Sequence, residues 1–346
     1  SIKADIMEEV ARMYGYENFE ATRITTSFDG AINQLDIDLV RKIKEFLAFR
    51  AGMQEIFTYP WMSDDIALAI LGSFDKTLAL STPPSPDEKY VRSSLLPNIC
   101  RAIVKNERNF NEFSIFEEAQ IFKDEGYTTP YDESEKLPLQ ERHLGLAFVG
   151  KSDDIQSLFL KAKGVLSDMP KYVHMEGFSF KKEEKPVWAD ETVWLGVYLG
   201  DEKVGDMGLL SKKAALACGI KVLSAVLVEI NLDALRPFKS RTNRYTRLPE
   251  FPLNEYDLSF LVDSSVKWEE IYSAVIGKKS AESLLRDVVF VDEYHGKQVP
   301  EGKKSVTIRL IVGSNEKTLT SSEIEAVANS ALKKLSKTLG ADIRTK

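Results

Sequence analysis

Apolar residues recur at three- and four-residue spacing in several stretches of the chain, and each such stretch predicts a helix with one buried face. Ile6, Val10 and Met13 give a short helix over residues 5–16, with Gly15 as its stop. After a polar stretch, 17–34, the residues Leu39, Val40, Ile43, Phe46 and Leu47 line one side of a longer helix over 35–51. Gly52 then supplies the left-handed residue that commonly ends helices. A further helix covers 95–106. Strand-like runs occupy 55–59, 113–122, 142–149 and 192–199, and the β-branched run 223–230 suits a strand buried on both faces. The Pro-rich segment 81–87 is a loop, because proline removes a donor and fixes the backbone. Gly205 and Gly208 read as a turn between strands. A helix followed by antiparallel strands indicates an α+β domain.

The pattern changes at Arg236. Arg236, Lys239, Arg241, Arg244 and Arg247 follow one another with no acid among them, and Pro237 and Asn243 discourage a regular element, so 236–247 reads as a basic linker. Beyond it the order becomes strand (256–262), helix (268–276), strand (288–293), strand (305–312), helix (321–339) and strand (342–344). That βαββαβ order is the ferredoxin-like split βαβ unit, in which two helices cover one face of a four-stranded sheet. Local chemistry agrees: Thr320 with Glu323 makes a capping box, and Ile324, Val327, Ala328, Ala331, Leu332 and Leu335 make the buried stripe of the last helix. In the third strand Val306, Ile308 and Leu310 alternate with Thr307 and Arg309, so one side meets the helices and the other is available to a ligand.

Composition narrows the classes. The 346 residues suffice for two or three domains, and 43% hydrophobic with 29% charged residues is an ordinary globular mix. With 53 acids against 46 bases the net charge is -7, which argues against a general nucleic-acid coat but leaves room for a local basic face. From Leu248 onward the count is 15 acids against 14 bases, so RNA binding there has to rely on a patch. Cys100 and Cys218 show no metal-ligand spacing, which excludes a disulfide framework, makes a zinc site unexpected and suits a reducing compartment. His143, His174 and His295 are isolated in sequence and read as surface or satisfied core residues. The most apolar stretch, near 222–230, is far shorter than a bilayer span, so the expectation is a soluble, cytoplasmic protein. Residue 1 is Ser and a helical pattern opens within a few residues, as in a piece of a longer polypeptide.

Three groups of residues carry a resemblance. Phe251-Pro252-Leu253-Asn254-Glu255-Tyr256-Asp257, followed by Val291-Asp292-Glu293-Tyr294-His295-Gly296-Lys297, resembles the ferredoxin-fold anticodon-binding domain that ends the β subunit of bacterial phenylalanyl-tRNA synthetases. Asp5-Ile6-Met7-Glu8-Glu9-Val10-Ala11-Arg12 is similar to the end of the winged-helix-like domain of that subunit. Tyr90-Val91-Arg92-Ser93-Ser94-Leu95-Leu96-Pro97 and Phe116-Glu117-Glu118-Ala119-Gln120-Ile121-Phe122 resemble its core domain, a relative of class II synthetase catalytic domains. The resemblance implies four parts: 1–20, the end of the winged-helix-like domain; 21–235, a class II-like antiparallel-sheet core; 236–247, the linker; and 248–346, the anticodon-binding domain.

Class II adenylation needs arginines on the phosphates and a Gly-rich segment ending in a second arginine. Here Phe122-Lys123-Asp124-Glu125 stands where an active relative carries an Arg-containing motif, and no GxGxG-type segment with a following Arg occurs. The core therefore reads as catalytically silent, with no catalytic residues of its own. By the resemblance, catalysis belongs to a partner α subunit in an (αβ)2 enzyme that joins phenylalanine to tRNA(Phe) using ATP and magnesium; no membrane and no DNA partner is expected. Asp5, Glu8 and Glu9 lie at i, i+3 and i+4 on the first helix, where the resemblance implies magnesium ligands shared with α. A further Asp, six residues upstream in the family, falls before residue 1, leaving the site incomplete. The RNA-facing candidates are Lys239, Arg241, Arg244, Arg247, Arg286, Lys303, Lys304 and Arg309 for phosphate, with Phe290 and Tyr294 for base stacking. A free-standing RNA-binding or scaffold protein with no ligase role is the rival expectation.

Overall fold

The computed structural model describes residues 2–23, 25–26, 30, 35–128, 137–236, 250–277, 283–296 and 299–343. The chain divides into two compact units, Ser1–Asn243 and Arg244–Lys346.

The first unit is built on a seven-stranded sheet. Its strands are β1 (Gln54–Glu55), β4 (Phe113–Thr128), β5 (Leu137–Lys151), β6 (Ser179–Lys181), β7 (Ala189–Leu199), β8 (Glu202–Leu210) and β9 (Leu223–Asn231), in the order β1-β4-β5-β9-β8-β7-β6. Only the short β1 runs parallel to its neighbour. Short strands β2 (Trp61–Met62) and β3 (Tyr90–Val91) pair separately. Because β5 and β9 are central, both of their faces are covered, which is why Leu223–Asn231 reads as a nearly unbroken apolar run. On one face Leu144, Leu146, Phe148, Val226, Val228 and Ile230 meet α2 (Leu35–Glu45), the wider helical turn Phe46–Arg50 that continues it, and α5 (Ile155–Tyr172). On the other, Ala147, Val149, Ala225 and Leu227 meet α3 (Asp64–Leu71), α4 (Leu96–Asn106) and α6 (Lys212–Cys218).

Several expectations change here. The strand expected over 55–59 reduces to Gln54–Glu55, and the residues after it form a loop held by side chains. Gly205 and Gly208 are not a turn but lie within β8. Gly205 faces Ile230 across the ladder, and a Cβ there would stand 2.1 Å from the Glu229 carbonyl oxygen, so close approach of two strands explains the glycine. The first helix, α1, is Lys3–Tyr14, and its stripe of Ile6, Val10 and Met13 is exposed instead of buried. Gly15, at φ 94°, does end it.

In the second unit β10 (Asn254–Asp263), α7 (Trp268–Ile276), β11 (Leu285–Tyr294), β12 (Lys303–Val312), α8 (Ser321–Leu339) and β13 (Asp342–Ile343) follow in the expected βαββαβ order. The antiparallel sheet is ordered β11-β12-β10-β13. Phe260, Val262, Val306, Ile308 and Leu310 pack under Ile271 and Val275 of α7 and Ala328, Ala331 and Leu335 of α8. The start of α8 is closed as its sequence foretells: the Thr320 amide and hydroxyl both donate to the Glu323 carboxylate, at 2.9 and 3.0 Å. Lys317 with those two donors holds Glu323 down to about 2.

Candidate functional site: the polar face of the core sheet and the ferredoxin-like surface

The two core motifs singled out in the sequence meet in space. Arg92, 7% exposed, sets its Nη1 3.1 Å from Glu117 Oε1 and donates from Nε to the Gln120 carbonyl at 2.8 Å. Glu117 also accepts from the Thr58 amide at 2.9 Å and from its hydroxyl at 2.8 Å, and the Asn98 amide group donates to the Tyr59 carbonyl at 2.7 Å. These bonds replace the missing ladder of the expected strand, and they turn Phe57 (79% exposed) and Tyr59 (70% exposed) outward. Tyr59 stacks on Trp61 with centroids 4.5 Å apart. Together with Asn98, Arg101, Ala102 and Lys105 of α4 these aromatics line a cleft of about 530 Å³.

The adjoining part of the same sheet face is acidic. Glu229 accepts from Ser94 Oγ at 2.6 Å and the Leu95 amide at 2.8 Å, so it closes the N-terminal end of α4, and His143 Nδ1 lies 3.1 Å away. The other nitrogen of His143 is 3.2 Å from Glu141, which also binds Lys123 at 2.6 Å and Asn231 at 3.1 Å. Burial pushes the Glu229 carboxyl up, but His143, Ser94 and the Leu95 amide outweigh it and hold it below the ordinary carboxylate range. Burial likewise disfavours a charged His143, and the two carboxylates reverse this and raise it. Asp206 lies beside Glu229 across the β8–β9 ladder and is pushed up, first by burial, with Lys203 opposing. The cations of this face, Arg92, Lys123 and Lys203, are each already paired with a carboxylate. The arginine of this network is already committed to Glu117 and a backbone carbonyl.

His143, expected to be isolated, is thus a hub that sequence reasoning missed. Its partner left one signal: Glu229 is the lone charge within an otherwise apolar central strand.

On α1, Asp5 accepts from the Ile2 amide at 2.9 Å and Glu9 pairs with Arg12, while Glu8 stands exposed. Among the described residues no three His, Cys, Asp or Glu side chains converge as a metal site. These carboxylates do not fit a magnesium cage as they stand.

In the ferredoxin-like unit the basic candidates are largely spoken for. Arg309 is forked onto Asp257 at 2.7 and 3.0 Å and reaches Glu255 at 2.8 Å, which raises its guanidinium above its ordinary value. Lys303 pairs with Asp342 at 2.7 Å, and the buried Lys304 with Glu293 at 3.0 Å. Arg286 donates to the Gly313 carbonyl and Asn315, both at 3.0 Å. Phe290, expected on the ligand side, is placed by register opposite Ile308 on the helix-bearing side, with its ring against Trp268 at 5.6 Å. Tyr294, 42% exposed, stands opposite Ser305 on the helix-free side. Lys239, Arg241, Arg244 and Arg247 lie outside the described residues; Arg236 pairs with Asp233 at 2.9 Å.

The family described as "Phenylalanyl tRNA synthetase beta chain CLM domain" matches residues 20–232. The chain belongs to that family. The "Ferredoxin-fold anticodon binding domain" matches residues 249–344, so the two families follow one another along the chain. Phenylalanine–tRNA ligase β subunits are the similar curated proteins: one from Clostridium tetani is 27% identical over 99% of this chain, and one from Carboxydothermus hydrogenoformans is 28% identical over all of it. The chain spans 42% and 43% of the length of those two relatives. A solved pyrrolysyl-tRNA synthetase of Desulfitobacterium hafniense superposes with a TM-score of 0.46 at 16% identity, over 58% of this chain and 67% of that one, too slight a likeness to weigh. Among the described residues no helix is long and apolar enough to cross a membrane.

Proposed function

We propose that the chain serves as a non-catalytic part of the β subunit of a cytoplasmic phenylalanine–tRNA ligase. Its core unit braces a catalytic α subunit in an (αβ)2 enzyme, and its ferredoxin-like unit holds the anticodon stem-loop of tRNA(Phe). ATP is a substrate of the whole enzyme, and any magnesium is held with α. The observation that carries this reading is the acidic face around Glu229, Glu141 and Asp206, together with two successive family matches. Adenylation needs fixed cations on the phosphates, and the cations of this face are already bound to carboxylates.

The α-docking part of the proposal rests on exposed apolar side chains, Ile37 and Phe49 at one cleft and Phe57 and Tyr59 at another, on a chain whose relatives are named as β subunits. The test pairs two measurements. Phenylalanine-dependent pyrophosphate exchange is expected to stay at background for the chain alone, and a signal with α rigorously absent refutes the silent core. Co-expression with a phenylalanine–tRNA ligase α subunit is expected to give a stable complex that Phe57→Asp weakens. Failure of any complex to form favours the free-standing RNA-binding protein.

A further inference from the structure

The two cysteines of this chain come together. Cys100, fully buried, sits in the middle of α4, and Cys218, 4% exposed, is the last residue of α6. Both belong to one apolar cluster with Ile99, Ile103, Ala214 and Ile220, and both are free thiols. The end of α6 rests on α4, since a Cβ on Gly219 would lie 3.8 Å from Val104, one helical turn beyond Cys100. Each thiol shifts the titration of the other, as close neighbours do.

We propose that Cys100 and Cys218 form an oxidisable dithiol, which a two-electron oxidant such as hydrogen peroxide closes into a disulfide that ties α4 to α6. The two positions are not equivalent. The neighbouring Cys218 and burial both raise the Cys100 thiol, whereas Cys100 lowers Cys218 against the opposing effect of burial, a direction that favours Cys218 as the nucleophile. It is also the less deeply buried of the two, at the end of a seven-residue helix closed by Gly219, where local opening is least costly. The Cys218 thiolate attacks one peroxide oxygen, the O–O bond breaks, and hydroxide leaves with the thiol proton as water. The resulting sulfenic acid is attacked at sulfur by Cys100; the S–S bond forms, the S–O bond breaks, and the Cys100 proton leaves with that oxygen as a second water. Two thiols are oxidised and one peroxide is reduced. Because the other side of α4 carries Asn98, Arg101 and Lys105 into the aromatic cleft, the new bond fixes one wall of that cleft to the body of the unit.

The test uses the reduced, purified chain treated with hydrogen peroxide under native conditions and read by intact mass and peptide mapping without reductant. The expected product is monomeric, lighter by two hydrogens, with the Cys100 and Cys218 peptides joined and released by dithiothreitol. Amide exchange in α6 is expected to slow in the oxidised chain. In Cys100→Ser a dimedone-reactive sulfenic acid is expected to accumulate on Cys218. The proposal is overturned if the wild-type chain stops at sulfenic or sulfinic acid on Cys218 with Cys100 still a thiol, if it forms only disulfide-linked dimers, or if neither cysteine reacts while both react in denaturant. The wild-type mass decides even where a variant fails to fold.

Discussion

At the scale of single residues, the core unit depends on two buried polar knots. Arg92 and Glu117 are 8% and 2% exposed at their side chains. Removing one partner of such a pair leaves an uncompensated charge, which costs roughly 3–5 kcal/mol. Glu117→Ala is expected to lose about that much in denaturant unfolding, and a loss under about 1 kcal/mol would mean that water reaches Arg92. His143 gives a pH signature. Its folded pKa is raised, so the stabilisation it supplies is complete below its ordinary value near 6.5 and fades as pH rises through the raised value. The melting-temperature gap between wild type and His143→Gln is therefore expected to narrow as pH rises above about 6.5. A gap that widens over that range contradicts the two-carboxylate environment. Neither knot was legible beforehand: Arg92 and Ser94 stood out within a motif, but nothing local names Glu117 or Glu229 as the partner.

At the scale of elements, strand β8 shows how packing decides what a glycine means. In sequence Gly205 and Gly208 look like turn residues, and only the β8–β9 contact shows that one of them is a strand position with no room for a side chain. Backbone, not a flexible side-chain end, blocks the Cβ, so Gly205→Ala is expected to destabilise the unit by about 1–3 kcal/mol and to raise amide exchange in β9. Unchanged exchange would mean that the strands separate without strain. Helix α5 was overlooked for a related reason. Its buried Leu158, Ala162, Leu166 and Met169 do keep helical spacing, but Gly164 lies among them and Pro170 follows directly, and both lower the local preference for helix. Burial against the sheet overrides that preference.

At the scale of the whole molecule, the proposed RNA binding is expected to draw differently on the basic linker and on the sheet. Arg309, Lys303 and Lys304 already have carboxylate partners, so releasing them to phosphate costs what it gains. The expectation is that Arg244→Ala lowers the log-log salt slope of anticodon stem-loop binding by about one, because one counterion-releasing contact is lost. Arg309→Ala is expected to leave that slope nearly unchanged. Tyr294→Ala is expected to weaken binding by about 1–3 kcal/mol at constant slope, as loss of a stacked base does. Titration into the α-containing enzyme at several salt concentrations distinguishes the three, and a slope change in Arg309→Ala alone would return the phosphate contact to the sheet.

The sequence by itself determined the ferredoxin-like unit element by element, because its signals act at short range. Alternation in β12, the Thr320–Glu323 cap and the one-sided stripe of α8 each need only a few neighbouring residues to be read. It also carried the family, through motifs that are contiguous along the chain. Tertiary structure alone decided which charges are spent and which glycines are crowded. Glu229 finds His143 from 86 positions away, Arg309 finds Asp257 from 52, and Cys100 shares a core cluster with Cys218. Such pairings depend on strand order and register, which local propensity does not encode, so no reading of spacing along the chain could have supplied them.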